Sequence, residues 1–263
     1  MGGNMWCSSI DAPAGSIENG RVVDINAVAS ALRELVSKTA VLSNRALIAI
    51  SDALASFRIL EFTPSTTAQG IDSAVAGEFL LDPERMATRW VEIQSNGERR
   101  FVYAVAWDRA QVRRLIETAK LAGLEPTAVD LKSACTARAV QESACIVIDL
   151  SSDLAEILLI DGHLPQVWHS FKLDSSAPDE MASAVAHPVR SVLRFYRRNK
   201  GSTFGPRSPI LIAGDHAEDQ ELLGDLSELV GQPVMPLVGP ARVPENVRSG
   251  TYFTCLGLIM RRN

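Results

Sequence analysis

The residues best suited to chemistry lie in two phrases. They are Asp149, Ser151, Ser152 and Asp153 in ACIVIDLSSDLAEILLIDG, and Gly214 and Asp215 at the end of SPILIAGD. Ala144–Ile148 is an unbroken apolar run that ends on Asp149, and a second run, Leu154–Ile160, is closed by Asp161–Gly162. A carboxylate at the end of a buried strand, beside a tight hairpin, can organise Mg²⁺ through water. The backbone N–H groups of such a hairpin can wrap a phosphate, provided that glycine lets the chain approach the oxygens with no Cβ in the way. Each residue also has a plainer reading. Asp149 can cap the Ser151–Asp153 turn, Ser151 and Ser152 are ordinary turn residues, and Gly214 can mark a strand-to-helix turn. Asp161–Gly162 reads as a hairpin turn. For Asp149 the two readings both stand at this point.

The elements that must position these residues interleave strands and helices throughout, which makes the class α/β. Residues 1–20 lack periodicity and read as a tail or the remnant of an edge. Asp24 is a good N-cap for a helix carrying Ile25, Val28, Leu32, Leu35 and Val36 on one face. Ala46–Ile50 and Ser56–Phe62 are strand-like, and Thr67–Leu81 predicts a helix stopped by Asp82–Pro83. Trp90–Ile93 and Phe101–Ala106 read as paired strands around Asn96–Gly97. Asp108 caps a helix closed by Gly123, Pro126–Leu131 is a strand, and Ser133–Glu142 is a short helix. Beyond the two apolar runs and a third strand, a long helix is predicted over Asp179–Asn199, kinked or split at Pro188. Ser208–Ala213 is a buried strand, Ala217–Val230 a helix ended by Gly231, Val234–Leu237 a strand and Tyr252–Met260 a closing helix. The spacing places a domain boundary at Ser143–Ala144.

Several chemistries are excluded. The four cysteines, Cys7, Cys135, Cys145 and Cys255, form no CxxC pair, and His163, His169, His187 and His216 have no ligand spacing. Cys135 and Cys145 sit in apolar contexts and read as core; His163 and His169 flank a hairpin and read as surface. No G-x-S-x-G elbow supports a serine nucleophile. The net charge of −5 argues against nucleic acid, and the cluster Arg194–Lys200 reads as the solvated end of a helix. No apolar run reaches the ~20 residues of a membrane span, and the N-terminus lacks the pattern of a signal peptide. A soluble cytoplasmic protein is therefore expected.

Six phrases, in order, resemble the PilM family of actin-like type IV pilus assembly proteins, which is related to FtsA and to the cytoplasmic domain of GspL. They are IENGRVVDINAVASALRELV, LIAISDALASFRILEF, AKLAGLEPTAVDLKSACTARAV, ACIVIDLSSDLAEILLIDG, SPILIAGDHAED and YFTCLGLIMR. The resemblance covers the chain from Ile17 onward. It implies an actin-like (ribonuclease H-like) two-domain α/β fold: a first, incomplete domain over 21–143 with a small α+β subdomain inserted at about 46–106, and a second over 144–263. It makes Asp149–Asp153 the second phosphate loop, with Asp149 the Mg²⁺ carboxylate, and Gly214–Asp215 the adenosine loop. ATP and Mg²⁺ are the cofactors so implied.

The departures from the family pattern are consistent in direction. No strand and Asp-x-Gly phosphate loop precede Ile17; Ser151 stands two residues after Asp149 where the family has glycine; Asp174–Ser175 stands where it has Gly-Gly; and Asp215 replaces the second glycine of the adenosine loop. A carboxylate facing an anionic nucleotide is unfavourable. The resemblance thus implies a scaffold with nucleotide binding weakened or lost, cytoplasmic and peripheral to the inner membrane. Its partner would be the cytoplasmic tail of a PilN-like bitopic protein, which would also be its link to the membrane. Self-association into a homo-oligomer is left open. The alternatives are an active actin-like ATPase or small-molecule kinase, which needs an intact first loop, and an FtsA-like polymerising protein, for which CLGLIMRRN offers no separate basic amphipathic segment.

Overall fold

The computed structural model describes residues 7–38, 43–79, 82, 84–95, 97–151, 154–196, 204–205, 207–239 and 250–261. Pro83, Asn96, Ser152, Asp153 and 197–200 lie outside the described residues. The chain divides into two compact units, Ser8–Leu131 and Met1–Cys7 with Lys132–Asn263.

The unit Ser8–Leu131 opens with a tight hairpin of β1 (Ile17–Glu18) and β2 (Arg21–Val22). Its two turn residues, Asn19 and Gly20, both have positive φ (49° and 75°), as a primed turn requires. Helix α1 (Ile25–Ser37) starts where Asp24 accepts the N–H groups of Asn26 and Ala27 at 2.9 and 3.0 Å. There follow β3 (Arg45–Ile50), β4 (Ala55–Phe62), α2 (Ala68–Glu78), β5 (Met86–Ser95), β6 (Arg100–Asp108), α3 (Arg109–Leu121) and β7 (Glu125–Leu131). β3 pairs in parallel with β7, while β4, β6 and β5 form a separate antiparallel sheet in that order. Ile71 and Val75 of α2 pack on Val102 and Ala104 of β6. The small α+β layer therefore spans Ala55–Asp108. Ala46–Ile50, placed by the sequence reading inside the inserted subdomain, instead joins β7, because a parallel partner lies at the far end of the insertion. Arg114 on α3 ties down the opening hairpin through the Val22 and Val23 carbonyls.

The unit containing Lys132–Asn263 comprises α4 (Lys132–Ala139), β8 (Ala144–Ser151), β9 (Leu154–Asp161), β10 (Leu164–Lys172), α5 (Pro178–Tyr196), β11 (Ile210–Gly214), α6 (Gln220–Val230), β12 (Val234–Pro236) and α7 (Phe253–Ile259). Its sheet runs β10-β9-β8-β11-β12, antiparallel on the β8–β9–β10 side and parallel from β8 through β11 to β12. One face, with Ile146, Ile148, Ile157 and Leu159, packs against Met181, Val185 and Val189 of α5 and Leu222 and Leu226 of α6. The other, with Cys145, Val147, Leu158, Ile160 and Leu211, packs against Ala137 and Ala139 of α4 and Phe253 of α7. Burial on both faces is why these strands read as continuous apolar runs rather than alternating ones. Cys135 and Cys145 are buried, and His163 and His169 exposed, as read from the sequence.

Two sequence expectations change in this unit. The boundary falls at Leu131–Lys132 rather than Ser143–Ala144. Helix α4, counted with the first domain, packs on α7 and on the sheet of the second unit. Helix α5 is not split at Pro188. Proline there costs about 3 kcal/mol, but buried Met181, Val185, Val189, Val192 and Leu193 flank it on both sides, each worth about 1.5–3 kcal/mol. Among the described residues no helix is long and apolar enough to cross a membrane.

Candidate functional site

The β8–β9 register sets Asp149 directly opposite Glu156, Leu150 opposite Ala155 and Ser151 opposite Leu154. Two carboxylates in register share one face of the sheet, where like charges destabilise the pair unless a cation lies between them. That cation is Lys132, the first residue of α4. Its Nζ lies 2.6 Å from Asp149 Oδ2 and also bonds Glu156 Oε2. Glu156 is 7% exposed and the Lys132 side chain 27%. Burial disfavours the ammonium, but the charges of Asp149 and Glu156, and the hydrogen bonds to them, outweigh it and hold the Lys132 pKa above its ordinary value. The other oxygen of Asp149, Oδ1, accepts from Ser151 Oγ at 2.8 Å. Asp149 thus fastens its own turn through Ser151 and a neighbouring helix through Lys132.

The Gly214–Asp215 turn closes the same corner of the sheet. Gly214 has φ +86°, and a Cβ there would stand 2.3 Å from the Leu150 carbonyl oxygen and 2.7 Å from Asp149 Oδ1. Glycine is obligatory because β11 crosses the end of β8 this closely. The Gly214 N–H donates to the Gly250 carbonyl at 3.1 Å, and the Asp215 N–H to the Leu150 carbonyl at 3.0 Å. The Asp215 side chain is exposed. At the third wall, Ser175 Oγ accepts the Ala177 N–H at 3.1 Å and so shapes the entry to α5.

These residues do not fit an ATP·Mg²⁺ group. An ammonium already sits within 2.6 Å of the carboxylate that would organise the metal. The two amides of the Gly214–Asp215 turn already bond protein carbonyls and offer no free donor to a nucleotide. Among the described residues no group of three His, Cys, Asp or Glu side chains gathers as a metal site. The structure thus brings together Asp149, Ser151, Gly214 and the Asp215 backbone, while Ser152 and Asp153 lie outside the described residues.

Sequence reasoning missed Lys132 and Glu156. The signal was there for Glu156: a lone carboxylate inside LAEILLI is costly to bury in its charged form unless a cation or hydrogen bonds meet it. It also missed the crossing of α4 and α7, where a Cβ on Gly257 would lie 1.7 Å from the Cys135 carbonyl oxygen, and where Arg138 donates to the Gly257 carbonyl.

No protein-family profile and no curated protein matches the chain. Solved structures do. The PilM–PilN type IV pilus biogenesis complex is 18% identical with a TM-score of 0.76, over 97% of this chain and 90% of that one. The ethanolamine utilization protein EutJ from Carboxydothermus hydrogenoformans is 14% identical with a TM-score of 0.52, over 93% and 77%. The cytoplasmic domain of EpsL, an inner membrane component of the type II secretion system of Vibrio cholerae, is 12% identical with a TM-score of 0.51, over 89% and 82%. At such identities the likeness is one of fold. The chain has the actin-like α/β fold that its sequence led us to expect, and it is PilM-like in fold over almost its whole length.

Proposed function

We propose that this protein is a PilM-like scaffold of a type IV pilus, or of a related secretion machine, that binds the cytoplasmic N-terminal peptide of a PilN-like bitopic membrane protein. Its activity is binding rather than catalysis, and its place is the cytoplasmic face of the inner membrane, held there by the partner. The observation that carries this reading is the fold match over 97% of the chain to the PilM–PilN complex. The weaker likeness to the EpsL cytoplasmic domain favours, as a second reading, the homologous position in a type II secretion platform. Loss of nucleotide binding belongs to the same proposal. Lys132 on Asp149, and the engaged amides of Gly214 and Asp215, support it. They also disfavour an active ATPase or kinase.

Two measurements test the proposal. Synthetic N-terminal peptides of the bitopic proteins encoded beside this chain are titrated into it by calorimetry. One of them is expected to bind saturably, and failure of every such peptide overturns the scaffold reading. ATP with Mg²⁺ is titrated in the same way, and saturable micromolar binding overturns the claim that the nucleotide site is lost.

A further inference from the structure

We infer that Lys132 is a resident cation. Its ammonium takes the place of a divalent metal on the Asp149–Glu156 carboxylate pair, making this corner of the fold indifferent to Mg²⁺ and fastening α4 to the β8–β9 hairpin. The inference deepens the reading that the nucleotide site is lost, and it rests on that reading only for its functional meaning. Its structural content stands alone. Asp149 and Glu156 face each other in register across two paired strands. A buried and a partly buried carboxylate so placed can both stay ionised only beside a counter-charge, and in many proteins a hydrated divalent ion supplies it. Here one tethered ammonium reaches both, at 2.6 Å from Asp149 and in direct contact with Glu156. An ion and Nζ cannot occupy that point together.

A tethered cation differs from a bound one in two ways. It cannot dissociate when metal or nucleotide is scarce, so the carboxylate pair keeps its counter-charge. It also couples the sheet to a helix. Lys132 begins α4, and α4 is clamped at its other end by α7 through Arg138 and the Gly257 crossing.

The test uses the full chain, its melting midpoint, and MnCl₂ or MgCl₂ as the probe against EDTA. The wild type is expected to melt at the same temperature in EDTA and in millimolar Mn²⁺. Lys132→Ala is expected to melt lower in EDTA and to recover at least half of the loss in Mn²⁺, because the ion takes the vacated place. Adding Glu156→Gln to Lys132→Ala removes the like-charge pair, so the loss in EDTA should shrink and the Mn²⁺ response should vanish. The inference is overturned if folded Lys132→Ala is unmoved by Mn²⁺. It is also overturned if the wild type gains stability from Mn²⁺ and Asp149→Asn abolishes the gain. Should Lys132→Ala fail to fold, the double variant decides: a folded double variant supports charge balance, and an unfolded one overturns it. ATP binding by the wild type through other groups would refute the loss of the nucleotide site and leave the Lys132 series intact, so the two failures are distinguishable.

Discussion

Gly257→Ala is the sharpest test of how this unit is held together. An alanine Cβ at that position would meet the Cys135 carbonyl oxygen at 1.7 Å and its carbon at 2.5 Å, whereas real Cβ contacts are essentially never under 3.0 Å. The obstacle is backbone in the middle of α4, so α4 and α7 must separate. A gap of roughly 0.5–1 Å forfeits a quarter to a half of the dispersion well of each contact. Helix α7 buries Phe253, Leu256 and Leu258. Fully buried side chains of this kind contribute about 1.5–3 kcal/mol each. Losing about a third of that, together with overpacking strain of about 1–3 kcal/mol, outweighs the ~1 kcal/mol by which alanine is the better helix former. The net loss is about 2–4 kcal/mol. Gly224→Ala in α6 is the control, because nothing lies within 4 Å of its Cβ; only propensity acts there, and a gain of about 0.5–1 kcal/mol is expected. Urea unfolding at pH 7, followed by far-UV circular dichroism and by tryptophan emission, to which Trp168 on the same layer contributes, reads both. With a slope of about 2 kcal/mol/M, the Gly257→Ala midpoint falls by about 1–2 M. A Gly257→Ala midpoint at or above that of the wild type would refute the reasoning.

Other predictions follow from single contacts. The Lys132 pKa is raised in the fold, so the stability it supplies is complete below the unfolded value of about 10.4 and is lost as pH rises through the higher folded value. The urea midpoint of the wild type minus that of Lys132→Met should stay constant from pH 7 to about 10 and fall only beyond. Asp108 caps α3 by accepting the N–H groups of Ala110 and Gln111 and also takes a 2.9 Å bond from Arg85. Burial raises its pKa, but those bonds prevail and lower it. Its contribution is therefore present above about pH 4 and lost as pH falls through the depressed value. Asp108→Ala should cost about 0.5–2 kcal/mol at pH 7 and less in acid. Tyr196→Phe removes a buried 2.9 Å bond to Asp161 at the β9–β10 turn and should cost about 1.5–3 kcal/mol by chemical denaturation. Ser151→Gly restores the glycine that a phosphate loop would have, yet it should bring no ATP·Mg²⁺ binding by calorimetry, because Lys132 still holds Asp149.

The parts of the fold legible in the sequence are those with local causes. Asp24 and Asp108 cap helices where they were read, and Gly231 ends α6 in the left-handed conformation. Asp161–Gly162 opens the β9–β10 hairpin, whose turn residues Gly162 and His163 have φ of 62° and 60°. The apolar runs became β8, β9 and β11 because burial on both faces leaves no alternation to misread. The parts not legible depend on distant partners. The two-residue strands β1 and β2 are fixed by a bond from Arg114, 92 residues away along the chain. β3 pairs with β7 across the whole antiparallel layer. Helix α6 begins three residues later than its apolar pattern suggests, because Asp219 caps it through the N–H groups of Glu221 and Leu222. The boundary at Leu131–Lys132 depends on the α4–α7 crossing, which leaves a trace in the sequence only as one glycine in a short helix.

For the candidate site, residues that looked decisive in the sequence are subordinate to ones that did not. Ser151 in place of glycine is the departure that meets the eye, but its hydroxyl merely bonds Asp149 Oδ1 at the exposed end of the strand. Asp215, also in place of glycine, has an exposed side chain and gives its backbone N–H to Leu150. The residue that decides what Asp149 can hold is Lys132, seventeen positions upstream and on another element. A loop motif records only whether the backbone could approach a phosphate. Whether the carboxylate behind it is available depends on the charge balance of the sheet, and here the register places Glu156 beside Asp149 and so demands a cation. Gly214 has a reason to persist that owes nothing to a nucleotide, because the Leu150 carbonyl leaves no room for a side chain.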